Sequence, residues 1–168
     1  MSRAKFYNSD VIRKAYTAKK LLDLAYLIIG QAADVYVRKG MMFPVICSST
    51  LLRLSRDGPA SVTEIARDLQ HPHQTIAQHL ATLTKLGIAE KRPDETDRRR
   101  FEFHLTRVGE EQAALLEQYN LDAAEVFRTL DADIDVDLGA VLDAAFAALE
   151  RTPMTERFSA PRSNRTMR

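Results

Sequence analysis

A chain of 168 residues with a 45% hydrophobic share is long enough for one domain with a real core or for two small lobes. Charged residues make up 28% of it and long low-complexity tracts are absent, which argues against disorder for most of its length. The single cysteine, Cys47, excludes an internal disulfide and is typical of a reducing cytoplasm. We expect neither a signal peptide nor a membrane span, because the most apolar stretch is short and contains Asp23.

The net charge of +1 is distributed unevenly. Residues 1–43 carry +5, residues 44–106 carry +1, residues 107–150 carry −9 and residues 151–168 carry +4. The simplest interpretation is that a basic first helix neutralises acidic last helices. Attraction to a polyanion would then depend on local clusters of basic side chains and not on the electrostatic field of the whole protein.

Two helices are predicted before residue 60. The first spans residues 9–39 without interruption, with Ser9 as its cap and Gly40 at its end; whether Gly30 marks a close approach or a mild kink is left open. Its apolar residues cover more than one face, so it needs more than one neighbour. The second begins at Pro44 and ends at Gly58-Pro59, and its buried side holds Val45, Leu51, Leu52 and Leu54.

Residues 61–87 have the pattern of two short helices joined by a tight turn. Ser61 stands three residues before Glu64, the spacing of a reciprocal N-terminal cap. After the turn at residues 70–72, a second amphipathic helix repeats apolar residues at helical spacing and ends at Gly87; these residues are Ile76, Leu80 and Leu83. This arrangement is a helix-turn-helix pattern.

Two runs of strand type follow, IAEKR and FEFHL, separated by the polar loop PDETDRRR. In the second run Phe101, Phe103 and Leu105 are predicted to face one way and Arg100, Glu102 and His104 the other. A helix pair followed by a hairpin with a basic tip is a winged helix. Thr106 can cap a further long helix that begins at residue 107, a last helix is expected from about Asp137 to Arg151, and residues 152–168 are expected to form a flexible basic tail.

The hairpin resembles the wing of MarR-type transcriptional regulators, whose signature is D-x-R, five residues and then L-T. Here it is Asp97-x-Arg99 followed by Leu105-Thr106, directly after a helix-turn-helix. The resemblance implies a mainly α fold with a small β-hairpin wing. Its winged helix-turn-helix domain, residues 44–106, would bind double-stranded DNA at a pseudo-palindromic operator. Residues 1–43 and 107–151 would be N- and C-terminal helices forming a dimerisation region.

Outward-facing side chains of the second helix are the predicted readers of base edges. They lie opposite the apolar stripe or on its rim, and they are Gln74, Thr75, Gln78, Thr82 and Lys85. Glutamine can pair bidentately with adenine, whereas Lys85 is more suited to phosphate. The resemblance implies that Arg99 enters a minor groove, that Asp97 organises the tip and that Arg98 shares the contact. The alternatives are a solvated helix face and a charge cluster that only keeps the hairpin soluble.

Other groups of histidine, aspartate and cysteine residues in the sequence do not predict a metal site or a catalytic site. His73 and His79 do not share a helix face, so no metal site is expected, and they are interpreted as polar or DNA-contacting histidines. The aspartates of residues 131–137 lack the glycine and the closing glutamate of a calcium loop. Cys47 lies among apolar residues and is expected to be a buried thiol. We find no phosphate loop or nucleophile elbow, so neither an enzyme nor a cofactor is expected.

A ligand is implied by the resemblance only, because MarR-type proteins often bind small aromatic molecules between the dimer helices and the winged domain. Such a pocket would lie near Tyr36, Met41, Met42, Phe43 and Cys47, although Met and Phe at a helix junction more often form plain core. The function expected is a cytoplasmic homodimeric regulator, in the first instance a repressor. The alternative is a dimeric ligand-binding or protein-interaction module whose winged helix does not read DNA.

Overall fold

The structure is a computed structural model that describes residues 9–94 and 99–159. The chain divides into two compact units, Met1–Tyr119 and Asn120–Arg168. The first unit contains the helix-turn-helix and the hairpin, and the second consists of helices. Over the described residues, a mainly α fold with one small two-stranded sheet is therefore confirmed.

The N-terminal helix is interrupted, contrary to the prediction of one continuous helix. Helix α1 spans Asp10–Ala15 and helix α2 spans Thr17–Arg38, with Tyr16 between them at φ −96° and ψ 23°. The hydroxyl of Thr17 donates to the carbonyl of Lys14 at 2.7 Å, a local bond that competes with regular helix geometry. No residue of α1 is buried, so packing does not hold the first turns straight. Ser9 caps α1 as predicted, accepting from the backbone N–H of Ile12.

The winged lobe, residues 45–105, follows a turn at residues 40–44. It begins with a short 3-10 helix at Val45–Cys47, and α3 spans Ser48–Asp57. Helix α4 spans Val62–Asp68, and Ser61 and Glu64 form the predicted reciprocal cap at its start. Helix α5 spans His73–Lys85 and is followed by Gly87 at φ +68°, a left-handed conformation that glycine adopts without strain.

Strands β1 (Ala89–Pro93) and β2 (Phe101–Leu105) pair antiparallel, with Ala89 opposite Leu105 and Pro93 opposite Phe101. Phe103 and Leu105 pack against the core as predicted. Phe101, at the outer end of the hairpin, is half exposed, and the Lys91 ammonium lies 4.2 Å from its ring centre. The apolar face of β2 is therefore partly buried at its base and exposed at its outer end.

The core lies where α3, α4 and α5 meet β1 and the first turns of α6 (Arg107–Ile134). Its largest fully buried apolar side chains come from five elements or the turns beside them: Leu51, Ile65, Ile76, Leu80, Leu83, Ile88 and Leu116. The predicted stripe of α5 thus lies wholly inside the core, which orients the helix about its axis.

Helix α6 continues into the second unit, where α7 spans Leu138–Arg151, close to the predicted bounds, and is capped by Asp137. The expectation of a loose tail from residue 152 is wrong for its first part, because α8 spans Met154–Ser159. Arg157 donates to the carbonyls of Ala148 and Thr152 at 2.8 Å each, so a basic side chain satisfies carbonyls at the end of α7. Residues 160–168 of the predicted tail lie outside the described part.

Candidate DNA interface

Helix α5 separates its apolar and polar side chains sharply. Gln74, Gln78 and Lys85, three of the predicted DNA-contacting residues, are exposed. Thr75 and Thr82 are half-buried on the rim, and the Thr82 hydroxyl donates to the carbonyl of Gln78 at 3.0 Å. The exposed side therefore presents two amides and one ammonium, groups that can bond base edges or phosphates.

The turn before α5 is closed by backbone groups. Gln70 adopts φ +52°, a left-handed conformation in which a side chain is less favourable than glycine, and the His71 N–H donates to the carbonyl of Ala66 at 3.0 Å. Pro72 occupies the N-cap position of α5 and makes no side-chain cap. The first N–H groups of α5 are thus left to bond solvent or an anion.

His79 lies on the inner side of α5, and it is not a surface contact. It is buried, and its Nδ1 lies 3.0 Å from the hydroxyl oxygen of Thr50 on α3. Burial lowers the pKa of His79, and the nearby His71 acts in the same direction. The sequence predicted a polar or DNA-contacting histidine here, because helical periodicity alone places residue 79 on the border of the apolar face.

The hairpin tip exposes basic side chains. Arg99 and Arg100 are both exposed, and the backbone N–H of Asp94 donates to the Arg100 carbonyl at 3.0 Å, which extends the strand pairing. Asp97 and Arg98, the other two residues of the predicted tip contact, lie outside the described residues. The hydroxyl and backbone N–H of Ser61 hold the pKa of Glu64 below its usual range, and the charge of Arg100 adds to this effect.

The base of the hairpin is bonded to the elements beside it. The Thr106 hydroxyl donates to the carbonyl of Gly87, just after α5, at 2.6 Å, and the Thr106 N–H donates to Ile88 at 3.0 Å. On the other edge, Ala60 and Phe103 exchange two backbone hydrogen bonds of 3.3 and 2.9 Å. These bonds fix the direction in which the hairpin leaves the end of α5.

Gly109, in the first turn of α6, permits a close approach that the sequence did not reveal. A Cβ at this position would lie 2.1 Å from the carbonyl oxygen of Ile88. The N–H of Gly109 also donates to the Thr106 hydroxyl at 3.1 Å. A side chain here would therefore force α6 away from the base of the hairpin.

Four of the five residues predicted to lie near a ligand pocket are core residues, and the fifth, Met42, is exposed. Tyr36, Met41, Phe43 and Cys47 are all buried, and the Tyr36 hydroxyl lies 2.7 Å from that of Ser48. Burial raises the pKa of the Cys47 thiol to about 11. A cavity of about 420 Å³ lies elsewhere, between the end of α3, the hairpin and α6. A ligand at the predicted site stays a prediction, and binding there would require these packed side chains to separate.

Neither a metal-binding cluster nor a membrane-spanning helix is found among the described residues. Residues 9–94 and 99–159 contain no cluster of three histidine, cysteine or acidic side chains placed to hold a metal. Within the same ranges, no helix is both long enough and apolar enough to cross a bilayer.

Comparisons with known proteins agree with this geometry. The family model described as "MarR family" matches residues 43–100. A MarR family transcription regulator of known structure superposes with a TM-score of 0.62 at 20% identity, over 89% of this chain and 99% of that one. A MarR family regulator from Neisseria meningitidis gives 0.50 at 25% identity, over 79% and 94%. The adhesin competence repressor of Streptococcus pyogenes gives 0.55 at 19%, over 82% and 98%.

No curated protein matches the chain significantly. The family match covers the helix-turn-helix and the hairpin up to Arg100, the segment in which the exposed face of α5 and the basic hairpin tip lie. The solved structures extend the shared fold over most of the chain. Residues 43–100 are therefore similar to the MarR family, and the chain has the winged helix-turn-helix fold of MarR family regulators of known structure.

Proposed function

We propose that this protein is a homodimeric regulator that binds operator DNA sequence-specifically. The observation that carries the proposal is the division of α5: Ile76, Leu80 and Leu83 are completely buried, while Gln74, Gln78 and Lys85 are exposed. A helix held by one face and polar on the other is suited to enter a major groove.

Each basic or polar group has a distinct role in this proposal. Gln74 and Gln78 read base edges, with Thr75 and Thr82 at the margin of the contact, and Lys85 contacts phosphate. Arg99 enters the adjacent minor groove, because a guanidinium group is attracted to the negative potential there. From the resemblance to MarR-type wings, we further assign Asp97 the role of organising the tip and Arg98 a share in the contact. The hydrogen bonds at the base of the hairpin support this assignment, since they couple its direction to that of α5.

The apolar surface supports the dimer. In α2, Leu21, Leu22, Tyr26 and Leu27 are all exposed although the helix is strongly apolar. In the second unit, Val126, Val141, Phe146 and Phe158 are exposed as well. Apolar surface of this extent is typical of an interface, and a second copy related by a two-fold axis would cover the same faces on both chains. The pseudo-palindrome would then have half-sites about 34 Å apart.

The test is binding to duplexes from the region flanking the protein's own gene and to random-sequence duplexes of equal length. Fluorescence anisotropy across a salt series should give tighter binding to one flanking duplex and a steep loss of affinity with salt. Equal affinity for all duplexes would exclude sequence-specific reading. Absence of binding even at low salt would favour an interaction module that does not contact DNA. Occupancy of a promoter by the protein in the cytoplasm would repress transcription. A reporter assay tests whether the protein lowers or raises transcription.

A further inference from the structure

The side chain of Gln112 joins the start of α6 to the turn that follows α2. Its Oε1 accepts a hydrogen bond from the N–H of Met42 at 2.7 Å, and its Nε2 donates to the carbonyl of Gly40 at 3.2 Å. Gln112 is only 6% exposed, whereas Gly40 and Met42 are exposed, so both bonds are partly shielded from water. The backbone of this turn therefore depends on a residue 70 positions later in the chain.

The turn is the connection between α2 and the winged lobe. It leaves α2 through Gly40 at φ +78°, and the N–H of Met41 donates to the carbonyl of Tyr36 at 3.0 Å. Met41 and Phe43 are buried, whereas Met42 between them is exposed. The apolar side chains thus anchor both ends of the turn, and Gln112 holds the polar backbone groups between them.

Aromatic packing accompanies this amide contact. The ring of Tyr36 lies edge-on to Phe43 at 5.5 Å and to Tyr119 at 4.8 Å between ring centres. Tyr119 is seven residues after Gln112, so both side chains leave α6 on the same side. Ring contacts tolerate sliding, but the paired hydrogen bonds of an amide require one arrangement of donor and acceptor. Gln112 is therefore the contact that fixes the orientation of the turn relative to α6.

We propose that Gln112 is a positioning residue that sets the direction of the winged lobe relative to α2, and thereby the distance between the two α5 helices of a dimer on DNA. This inference rests on the proposed function. Removal of the amide leaves the Met42 N–H and the Gly40 carbonyl without their side-chain partner, and the turn then gains other arrangements in which water satisfies them. The loss should appear as relaxed spacing between half-sites.

The first experiment compares Gln112→Leu with Gln118→Leu, a substitution of an exposed glutamine on the same helix. The probe is the duplex that the wild-type protein selects from a randomised pool, together with versions whose half-sites are moved together or apart by one or two base pairs. We expect the wild type and Gln118→Leu to prefer one spacing by about tenfold or more, and Gln112→Leu by less than about threefold.

A second measurement needs no DNA. Spin labels at Thr84→Cys, an exposed position of α5, in a Cys47→Ser background would report the distance between the two copies. Gln112→Leu should broaden the distance distribution. Leu51→Ala, a core truncation in α3 that leaves the Gln112 bonds in place, should lower stability without broadening it.

The outcomes separate the two proposals. A Gln112→Leu variant that binds DNA with the spacing preference and distance distribution of the wild type overturns the role of Gln112 alone. A wild type that selects no duplex from the randomised pool overturns DNA binding, and the label distances then decide whether Gln112 positions the lobes. A wild type that is monomeric in solution overturns the inference.

Discussion

Thr50 and His79 form a polar pair inside the core, with 3.0 Å between the Thr50 hydroxyl oxygen and the His79 Nδ1. They join α3 to the helix proposed to read DNA. Whichever atom carries the proton, each side chain gives the other a partner that water cannot supply at this depth. The pair therefore fixes how α5 lies on α3, in addition to the apolar stripe.

Replacement of Thr50 by valine should destabilise the protein, because the buried His79 nitrogen loses its partner while the shape of the side chain is kept. We expect the free energy of unfolding to fall by about 1–3 kcal/mol in urea titrations. Thr63→Val, on the exposed side of α4, is the control and should change it by less than about 0.5 kcal/mol. Equal effects of the two substitutions would show that the hydrogen bond is without consequence.

Stability should also depend on pH through His79. Burial lowers its pKa in the folded state, so between that value and the unfolded value of 6.5 the unfolded chain binds more protons. The contribution of the neutral histidine is complete above about pH 6.5 and is lost as pH falls towards the folded pKa. Unfolding titrations at a series of pH values should show this slope, and His79→Leu should flatten it. Glu64, whose folded pKa is also lowered, loses its contribution only in a more acidic range, below 4.5.

The Cys47 thiol should be nearly inert in the native protein. A pKa of about 11, set by burial, leaves about a hundredfold less thiolate at neutral pH than the ordinary value of 9.0 would. Alkylation by iodoacetamide should therefore be slow in buffer and rapid in urea. Fast modification of the folded protein would contradict this prediction and reopen the possibility of a redox role.

Gly109→Ala should disturb the junction of α6 with the hairpin, because the new methyl group would meet the Ile88 carbonyl at 2.1 Å. The expected loss is about 1–3 kcal/mol in the free energy of unfolding, typical of an overpacked site. Gly30→Ala is the matched control, because nothing lies within 4 Å of the added atom and Gly30 is inside α2. Gly30→Ala should leave the free energy of unfolding of the monomer unchanged or raise it by up to about 1 kcal/mol.

Arg99→Ala tests the wing. Loss of this guanidinium should weaken binding to the flanking duplex by about tenfold or more, equivalent to about 1.4 kcal/mol, with no change in thermal unfolding. Arg128→Ala, an exposed arginine of α6 paired with Glu125, removes the same charge elsewhere and should leave affinity within about twofold. Unchanged affinity for Arg99→Ala at moderate salt would refute the assignment.

Local patterns in the sequence predicted local structure well. The Ser61–Glu64 cap, the buried stripe of α5 and the cap at Ser9 follow from short-range rules that the structure confirms. The break at Tyr16 was missed, since no proline or glycine marks it and its cause is one hydroxyl bond in a helix without packing.

Contacts between residues that lie far apart in the chain could not be predicted from the sequence. Nothing near Gln112 indicates that it bonds a turn 70 residues earlier, and nothing near Gly109 reveals the carbonyl of Ile88. His79 likewise required the position of Thr50 on another helix to be recognised as a core residue. The roles of Gln74, Gln78 and the tip residues stay predictions, because they concern a nucleic acid partner.

The hydrogen bonds at Thr106 and Ala60 hold the hairpin by its base, while Arg99 and the exposed glutamines of α5 contribute nothing to the core. Folding and the proposed DNA recognition therefore draw on different residues. Substitutions at the tip or along the outer helix face would alter the preferred operator at little cost in stability. Such a scaffold could diverge rapidly in target choice after gene duplication, because each new specificity would begin from an intact fold.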